Sequence, residues 1–183
     1  VNSGIGNISL VVRKNYHSLM DHLGSGREWD LTRKNGGLNI VPPFAQKNIK
    51  VYTGRVEALA SVLTFLKSQK EKYVVMSDTN IAVNFDFKAF MDAHISSGAD
   101  VTVAYSQSDV PASARKREDI NSDMYYTLDI KDGRVVNLDI NSKAAGPQNF
   151  SMNIYIMDRE LLISQINTAY LHGHSFFERD ILS

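Results

Sequence analysis

Apolar and polar positions alternate along the first part of the chain in runs whose period changes. The continuous apolar run Ile8–Val12 predicts a short buried strand. The helical pattern of Tyr16–Leu23 follows it, and Gly24 and Gly26 end that helix. The polar stretch Arg27–Pro43 is punctuated by glycine and proline, which predicts a long loop of the kind that is functional or mobile in compact domains.

The middle of the chain alternates between strand-like and helix-like patterns. The predicted elements are an extended segment at Ile49–Tyr52, a helix at Val56–Gln69, a buried strand at Tyr73–Met76, a helix at Phe85–Ser97 and a strand at Asp100–Tyr105. Strands separated by helices at this spacing favour a parallel sheet with right-handed crossovers.

The second half changes character. Met124–Ile130 and Arg134–Ile140 flank an Asp-Gly turn, which predicts an antiparallel hairpin with alternating, half-exposed arms. Ser151–Met157 then predicts a strand, and Asp158 is placed to cap a helix behind it. We therefore predict an α/β fold, a Rossmann-like and mostly parallel sheet flanked by helices, with an inserted antiparallel hairpin.

Composition narrows the class of protein. The chain has 183 residues, of which 43% are hydrophobic and 22% charged, as in an ordinary globular domain. Its 20 basic residues balance 20 acidic ones, so nothing favours nucleic acid or an anionic membrane as a partner. The absence of cysteine excludes disulfides, thiolate zinc sites and a cysteine nucleophile. With neither a long apolar run nor a signal peptide, we expect a soluble, cytoplasmic protein.

Asp78 is the first candidate for chemistry because it follows directly on the predicted strand Tyr73–Met76. Ligands of open α/β sheets bind beyond the carboxyl ends of the strands. A carboxylate at that place can hold Mg²⁺ on a phosphate group. The alternative is an aspartate that bonds its own backbone in a turn or at a helix start.

Gly54 is the second candidate because it precedes the helix predicted at Val56–Gln69. A glycine at a helix start lets a ligand approach the backbone, and the helix N-terminus favours anions. The alternative is a simple turn. The chain contains neither the G-x-S-x-G elbow of hydrolases nor the G-x-x-x-x-G-K-[ST] phosphate loop.

Several stretches spread over nearly the whole chain carry a family resemblance. They are Val1–Ile5, Tyr16–Leu19, Tyr52–Ala58, Tyr73–Asp86, Gly98–Ala104, Asn149–Ile156 and Phe177–Ile181. Together they resemble the ADP-glucose pyrophosphorylase (glucose-1-phosphate adenylyltransferase) family. That family has an aromatic-x-Gly-Thr-Ala-Asp-Ala run, a strand ending in Gly-Asp-His, a Ser-Met-Gly-Ile-Tyr strand and a Phe-Gly-Lys-Asp-Ile run.

The resemblance implies a nucleotide-diphospho-sugar transferase fold, with one nucleotidyltransferase-like domain over residues 1–183. It also implies the conversion of ATP and glucose 1-phosphate to ADP-glucose and pyrophosphate, with Mg²⁺ as cofactor. Carried onto this sequence, Asp78 is the catalytic metal ligand and Gly54 lies near the nucleotide base. Lys143 and Ser151 are assigned to the sugar phosphate.

Departures from the family concentrate at these ligand-facing motifs. The changed positions are Arg55 and Glu57 in the Gly-Thr-Ala-Asp-Ala run, Ser77 and Thr79 beside Asp78, Ser142 and Ala144 beside Lys143, and Asn153 in place of a glycine. The family's glycine-rich phosphate cradle and its C-terminal β-helix domain are expected outside residues 1–183, in a longer protein from which both ends of this chain are cut.

The leading hypothesis is therefore a regulatory subunit of this enzyme, with little or no activity of its own. Such a subunit associates with a catalytic paralogue in a hetero-oligomer of glycogen biosynthesis, where ATP, glucose 1-phosphate or ADP-glucose are its candidate ligands. One alternative is an active sugar-phosphate nucleotidyltransferase. Another is a scaffold that binds a sugar phosphate or nucleotide without turnover.

Overall fold

In a computed structural model, the structure describes residues 3–12, 16–24, 26–29, 31–32, 36–42, 52, 54–109 and 125–182. The elements in chain order are β1 (Asn7–Val11), α1 (His17–Leu23), a 3-10 helix (Arg27–Trp29), β2 (Gly37–Val41), α2 (Arg55–Ser61), α3 (Leu63–Ser68), β3 (Tyr73–Ser77), α4 (Phe87–Ser97), β4 (Val101–Asp109), β5 (Tyr126–Lys131), β6 (Arg134–Ile140), β7 (Pro147–Asp158), α5 (Arg159–Leu171) and α6 (Phe177–Asp180).

The chain divides into two compact units. Unit 1 comprises Val1–Lys72, Asp86–Ala89 and Arg159–Leu182, and unit 2 comprises Tyr73–Phe85 and Phe90–Asp158. The assignment of residues 1–183 to one nucleotidyltransferase-like domain stays a prediction. Within the described residues, no helix has both the length and the apolar character needed to cross a membrane.

Unit 1 begins with two parallel strands joined through α1 and the 3-10 helix. The register of β1 on β2 runs from Asn7 opposite Gly37 to Val11 opposite Val41. The predicted strand and helix in this region are confirmed. The prediction of a continuous loop over Arg27–Pro43 is wrong, because β2 lies within it. Gly37 and the nearby prolines disfavour a strand by local propensity, but β2 forms because it pairs with β1.

The helix predicted at Val56–Gln69 is present as two shorter helices, α2 and α3, which meet at Val62. The backbone of Val62 leaves the helical region, with φ −105° and ψ 11°. Its N–H donates to the carbonyl oxygen of Leu59 in a tighter turn. Val56, Val62 and Leu66 are all buried, and both helices contact α5. The break therefore lets the two segments each turn an apolar side toward α5.

Unit 2 is built around β7, the central strand of a five-stranded sheet. β7 is antiparallel to β3 on one side and to β4 on the other, with Met157 opposite both Val74 and Val101. Ile154–Met157 are 0–2% exposed, as a strand covered on both faces requires. The α/β fold class is confirmed. The expected parallel neighbours differ, because β3 and β4 run in the same direction but are separated by β7.

The hairpin of β5 and β6 is confirmed. Asp132 and Gly133 both have positive φ, 51° and 75°, as a two-residue type I′ turn requires. The arms are less alike than their pattern predicts. Tyr126–Leu128 in β5 are buried, because Thr127 pairs with Phe150 of β7 inside the sheet, whereas β6 is largely exposed. Of the other predicted segments, Ile49–Val51 and Met124 lie outside the described residues.

Candidate functional site

Asp78 lies immediately after β3, at the carboxyl end of that strand, as the sequence predicts. Its Oδ2 atom accepts a hydrogen bond of 2.9 Å from Nδ2 of Asn153. The hydroxyl of Ser77 donates to the backbone carbonyl oxygen of Asp78 at 3.0 Å, which fixes the chain as it leaves the strand. The carboxylate is thus bound by an amide from β7, and Ser77 holds the backbone of the same residue.

Ser151 and Tyr155 extend this contact into a network. Both hydroxyls donate to Oδ1 of Asn153, Ser151 at 3.3 Å and Tyr155 at 3.2 Å. Ser151 and Tyr155 are only 2% and 1% exposed. We call Asp78, Ser151, Asn153 and Tyr155 the carboxylate region. It brings together two residues assigned from the sequence to different ligands, Asp78 and Ser151.

Lys143 forms no hydrogen bond with the described residues of this network. It is exposed, in the segment between β6 and β7. Across the part of the chain that the structure describes, its ammonium group makes no hydrogen bond or ion pair. A contact of Lys143 with a sugar phosphate stays a prediction.

Gly54 lies at the start of α2, in unit 1. A Cβ atom at this position would lie 2.0 Å from the carbonyl oxygen of Ser175. The same oxygen accepts a hydrogen bond from the N–H of Val56 at 3.0 Å. The lack of a side chain at Gly54 is therefore explained by the backbone of Ser175, and contact of Gly54 with a nucleotide stays a prediction.

Arg55 follows Gly54 and forms an ion pair with Glu178. The distance from Nη1 to Oε1 is 2.5 Å, and the two side chains are 19% and 4% exposed. Beside them, Oε1 of Glu57 accepts a hydrogen bond from the hydroxyl of Ser175 at 3.3 Å. We call Gly54, Arg55, Glu57, Ser175 and Glu178 the ion-pair region. A carboxylate as buried as that of Glu178 is stable only with such a partner.

Asp180 organises the start of α6 next to the ion-pair region. Its Oδ2 atom accepts hydrogen bonds from the N–H groups of Ser175 at 3.1 Å and Phe176 at 2.9 Å. The hydrogen bond from Arg179 lowers the pKa of this carboxyl group to about 2, with the two backbone N–H groups acting in the same direction against the opposing effect of burial. Asp180 is thus ionised at neutral pH and binds the two backbone N–H groups that directly precede α6.

No resident metal centre is formed by the described residues. Within the described ranges, no three His, Asp or Glu side chains lie close enough together to hold an ion. Asp78 is the one carboxylate of the carboxylate region, and an N–H donor faces its Oδ2 atom. An amide N–H cannot donate electrons to a cation, so this arrangement does not fit a bound Mg²⁺.

Glu178 belongs to the ion-pair region and Tyr155 to the carboxylate region, and sequence analysis selects neither residue for a site. Glu178 lies between Phe177 and Arg179 in a run that also contains Asp180, so its neighbours in sequence do not mark it as buried. Tyr155 lies in a continuous apolar strand and is chosen by that pattern only as a core residue. Neither residue therefore gave a signal that sequence analysis could use.

The chain is similar in sequence to a known protein family and to several curated proteins. A family model described as Nucleotidyl transferase matches residues 1–115. A glucose-1-phosphate adenylyltransferase of Thermotoga neapolitana is 32% identical over 165 residues, which are 88% of this chain and 37% of that protein. The glycogen biosynthesis protein GlgD of Geobacillus stearothermophilus is 37% identical over 103 residues, which are 56% of this chain and 30% of that protein. The chain thus spans well under half the length of these relatives.

Solved structures share the fold. HddC from Yersinia pseudotuberculosis matches with a TM-score of 0.63 at 16% identity, over 99% of this chain and 66% of that chain. A structure described as a putative glucose-1-phosphate thymidylyltransferase from Bacillus anthracis, in complex with a sucrose, matches with a TM-score of 0.62 at 15% identity, over 96% of this chain and 68% of that chain. At such identity the likeness concerns the fold alone.

Proposed function

The chain belongs to the nucleotidyl transferase family, and from this premise we propose that it serves as part of a glucose-1-phosphate adenylyltransferase subunit in glycogen biosynthesis, in a regulatory role with little activity of its own. The relatives named glucose-1-phosphate adenylyltransferase confirm the resemblance to the ADP-glucose pyrophosphorylase family. The regulatory role, the hetero-oligomer and the catalytic paralogue as partner are parts of the proposal.

The observation that carries the proposal is the ion pair between Arg55 and Glu178. Arg55 replaces the threonine of the family's Gly-Thr-Ala-Asp-Ala run, and Glu178 replaces the glycine of its Phe-Gly-Lys-Asp-Ile run. The two departures are therefore complementary. Removing either charge would break this ion pair in a largely buried place, which we expect to cost about 3 kcal/mol.

Complementary changes of this kind support a chain that keeps a well-ordered fold while its ligand-facing motifs change. The relative GlgD, named as a glycogen biosynthesis protein, is 37% identical over the stretch it shares with this chain. Both points support a subunit of glycogen biosynthesis that keeps its fold while its ligand-facing motifs differ from the family pattern.

An active sugar-phosphate nucleotidyltransferase is the second candidate, and Asp78 favours it. That carboxylate lies at the carboxyl end of β3, where ligands of α/β sheets bind. The Mg²⁺ ion that such a reaction uses would stabilise charge on the phosphates. Asp78 would be its ligand only after release from the amide of Asn153.

The test is ADP-glucose synthesis by the catalytic paralogue, measured with increasing amounts of the full-length protein that contains this chain. We expect the rate or the activator response of the paralogue to change, and the change to be the same with Asp78→Asn in the added subunit. The substitution is the matched control, because it removes the candidate metal ligand and keeps the size of the side chain. A paralogue that responds to no ratio of the two proteins would contradict the proposal.

A further inference from the structure

Asn153 has a backbone conformation that few residues adopt. Its φ is +53°, in the left-handed region. The register of β4 on β7 passes from Ala104 opposite Ile154 to Tyr105 opposite Ser151, so Met152 and Asn153 form a bulge with no partner on β4. A left-handed conformation costs about 1 kcal/mol for a residue with a side chain, and asparagine tolerates it better than most. Bulges of this kind redirect a side chain.

The redirected side chain has a defined orientation. The NH₂ end of the Asn153 amide faces Asp78, because its Nδ2 atom donates to Oδ2 of the carboxyl group. The amide oxygen then faces the hydroxyls of Ser151 and Tyr155, both of which donate to it. Because these two hydroxyls are buried, the amide is held at both ends and cannot turn its oxygen toward Asp78 without losing these contacts.

This orientation determines what can approach Asp78. A divalent cation at the Oδ2 atom would meet the positive end of an amide dipole at the place where a further oxygen ligand is needed. We propose that Asn153 is a positioning residue that holds Asp78 in an internal hydrogen bond and excludes a divalent cation from it. This inference rests on the proposed function, because the exclusion of a cation from Asp78 would account for the low activity of a regulatory subunit. The exclusion itself concerns cation binding alone.

Two substitutions at Asn153 test the proposal in the full-length protein, with Mn²⁺ alone as the probe and electron paramagnetic resonance as the readout of bound ion. Asn153→Asp keeps the shape and the tolerance of positive φ, but it sets a second carboxylate against Asp78. We expect its Mn²⁺ binding to be at least tenfold tighter than that of the wild type, because affinity rises with the number of charged oxygen ligands. Asn153→Gly removes the donor and suits the backbone, and we expect a gain of a few fold.

Both gains must vanish when Asp78→Asn is combined with either substitution. Wild-type affinity in both Asn153 variants, or gains that persist without Asp78, would overturn the proposal. Should Asn153→Asp fail to fold, as judged by circular dichroism, the glycine variant and its Asp78→Asn combination decide the question alone. Mn²⁺ binding is independent of the effect on the catalytic paralogue, so this inference and the proposed function can fail separately.

Discussion

In the ion-pair region a guanidinium group meets a carboxylate that is only 4% exposed, whereas in the carboxylate region a neutral amide meets the half-buried carboxylate of Asp78. Two opposite charges in a buried place depend on each other, because either one alone is very unfavourable there. A neutral amide and a carboxylate contribute less to each other, about 1.5–3 kcal/mol. Unit 1 therefore depends on the ion-pair region for its stability. One substitution in the carboxylate region, by contrast, can change its chemistry while the fold of unit 2 is kept.

Arg55→Met gives the largest expected effect, because it breaks the ion pair with the carboxylate of Glu178, which is only 4% exposed. We expect the free energy of unfolding to fall by about 3 kcal/mol, measured by urea denaturation. The matched control is Arg179→Met, which removes a cation that is 50% exposed in its pair with Asp180 and should cost less than about 1 kcal/mol. Equal losses in the two variants would show that the buried ion pair of Arg55 stabilises the protein no more than the exposed pair of Arg179.

Gly54→Ala tests whether the space beside Gly54 belongs to the protein itself. The added Cβ would overlap the backbone carbonyl of Ser175, which cannot move without displacing the start of α6. We expect a loss of about 2 kcal/mol in thermal or urea unfolding, as for other overpacked sites. Unchanged stability of the alanine variant would mean that this space is open to a ligand.

Two substitutions at Asn153 test the carboxylate region. Asn153→Ala loses the hydrogen bond to Asp78 and places a less tolerant residue at positive φ, whereas Asn153→Gly loses the bond and relieves the backbone. We expect the alanine variant to be less stable than the glycine variant by about 1 kcal/mol in urea unfolding. The reverse order would show that Asn153 is not held in the left-handed conformation.

The smallest expected effect concerns acid. The pKa of Asp180 is lowered from 3.8 to about 2, so its contribution to stability is present above pH 3.8 and is lost as the pH falls toward 2. Asp180→Asn should therefore flatten the loss of stability between pH 4 and 2, by about 1 kcal/mol because the Arg179 partner is half exposed and screened. Melting temperatures of both proteins across this range measure it, and parallel curves would contradict the assignment.

Much of the fold follows from local patterns. The strands β1 and β3, the helix α1 and the Asp-Gly hairpin lie where periodicity and turn residues predict them, because each pattern reflects a local requirement of its element. The position of β7 between β3 and β4 could not be predicted in this way. Its continuous apolar run shows burial on both faces but contains no information about strand direction or neighbours.

The candidate site was predicted one residue at a time, and its partners were not. Asp78 and Ser151 were assigned to different ligands, and nothing in their sequence indicated that both lie near Asn153, whose bond to Asp78 joins positions 75 residues apart. The pairing of Arg55 with Glu178 likewise needs the tertiary structure. A single sequence shows that residues differ from a family pattern, whereas only the fold shows that the differing residues meet.

The proposal of a regulatory subunit with little activity of its own is tested most directly by incubating the full-length protein with ATP and glucose 1-phosphate, without a catalytic partner. Turnover is followed as pyrophosphate release. The account predicts that the wild type and the Asp78→Asn variant give the same background rate, because Asp78 is held by Asn153. Turnover by the wild type that Asp78→Asn removes would contradict the account and identify this protein as an active nucleotidyltransferase.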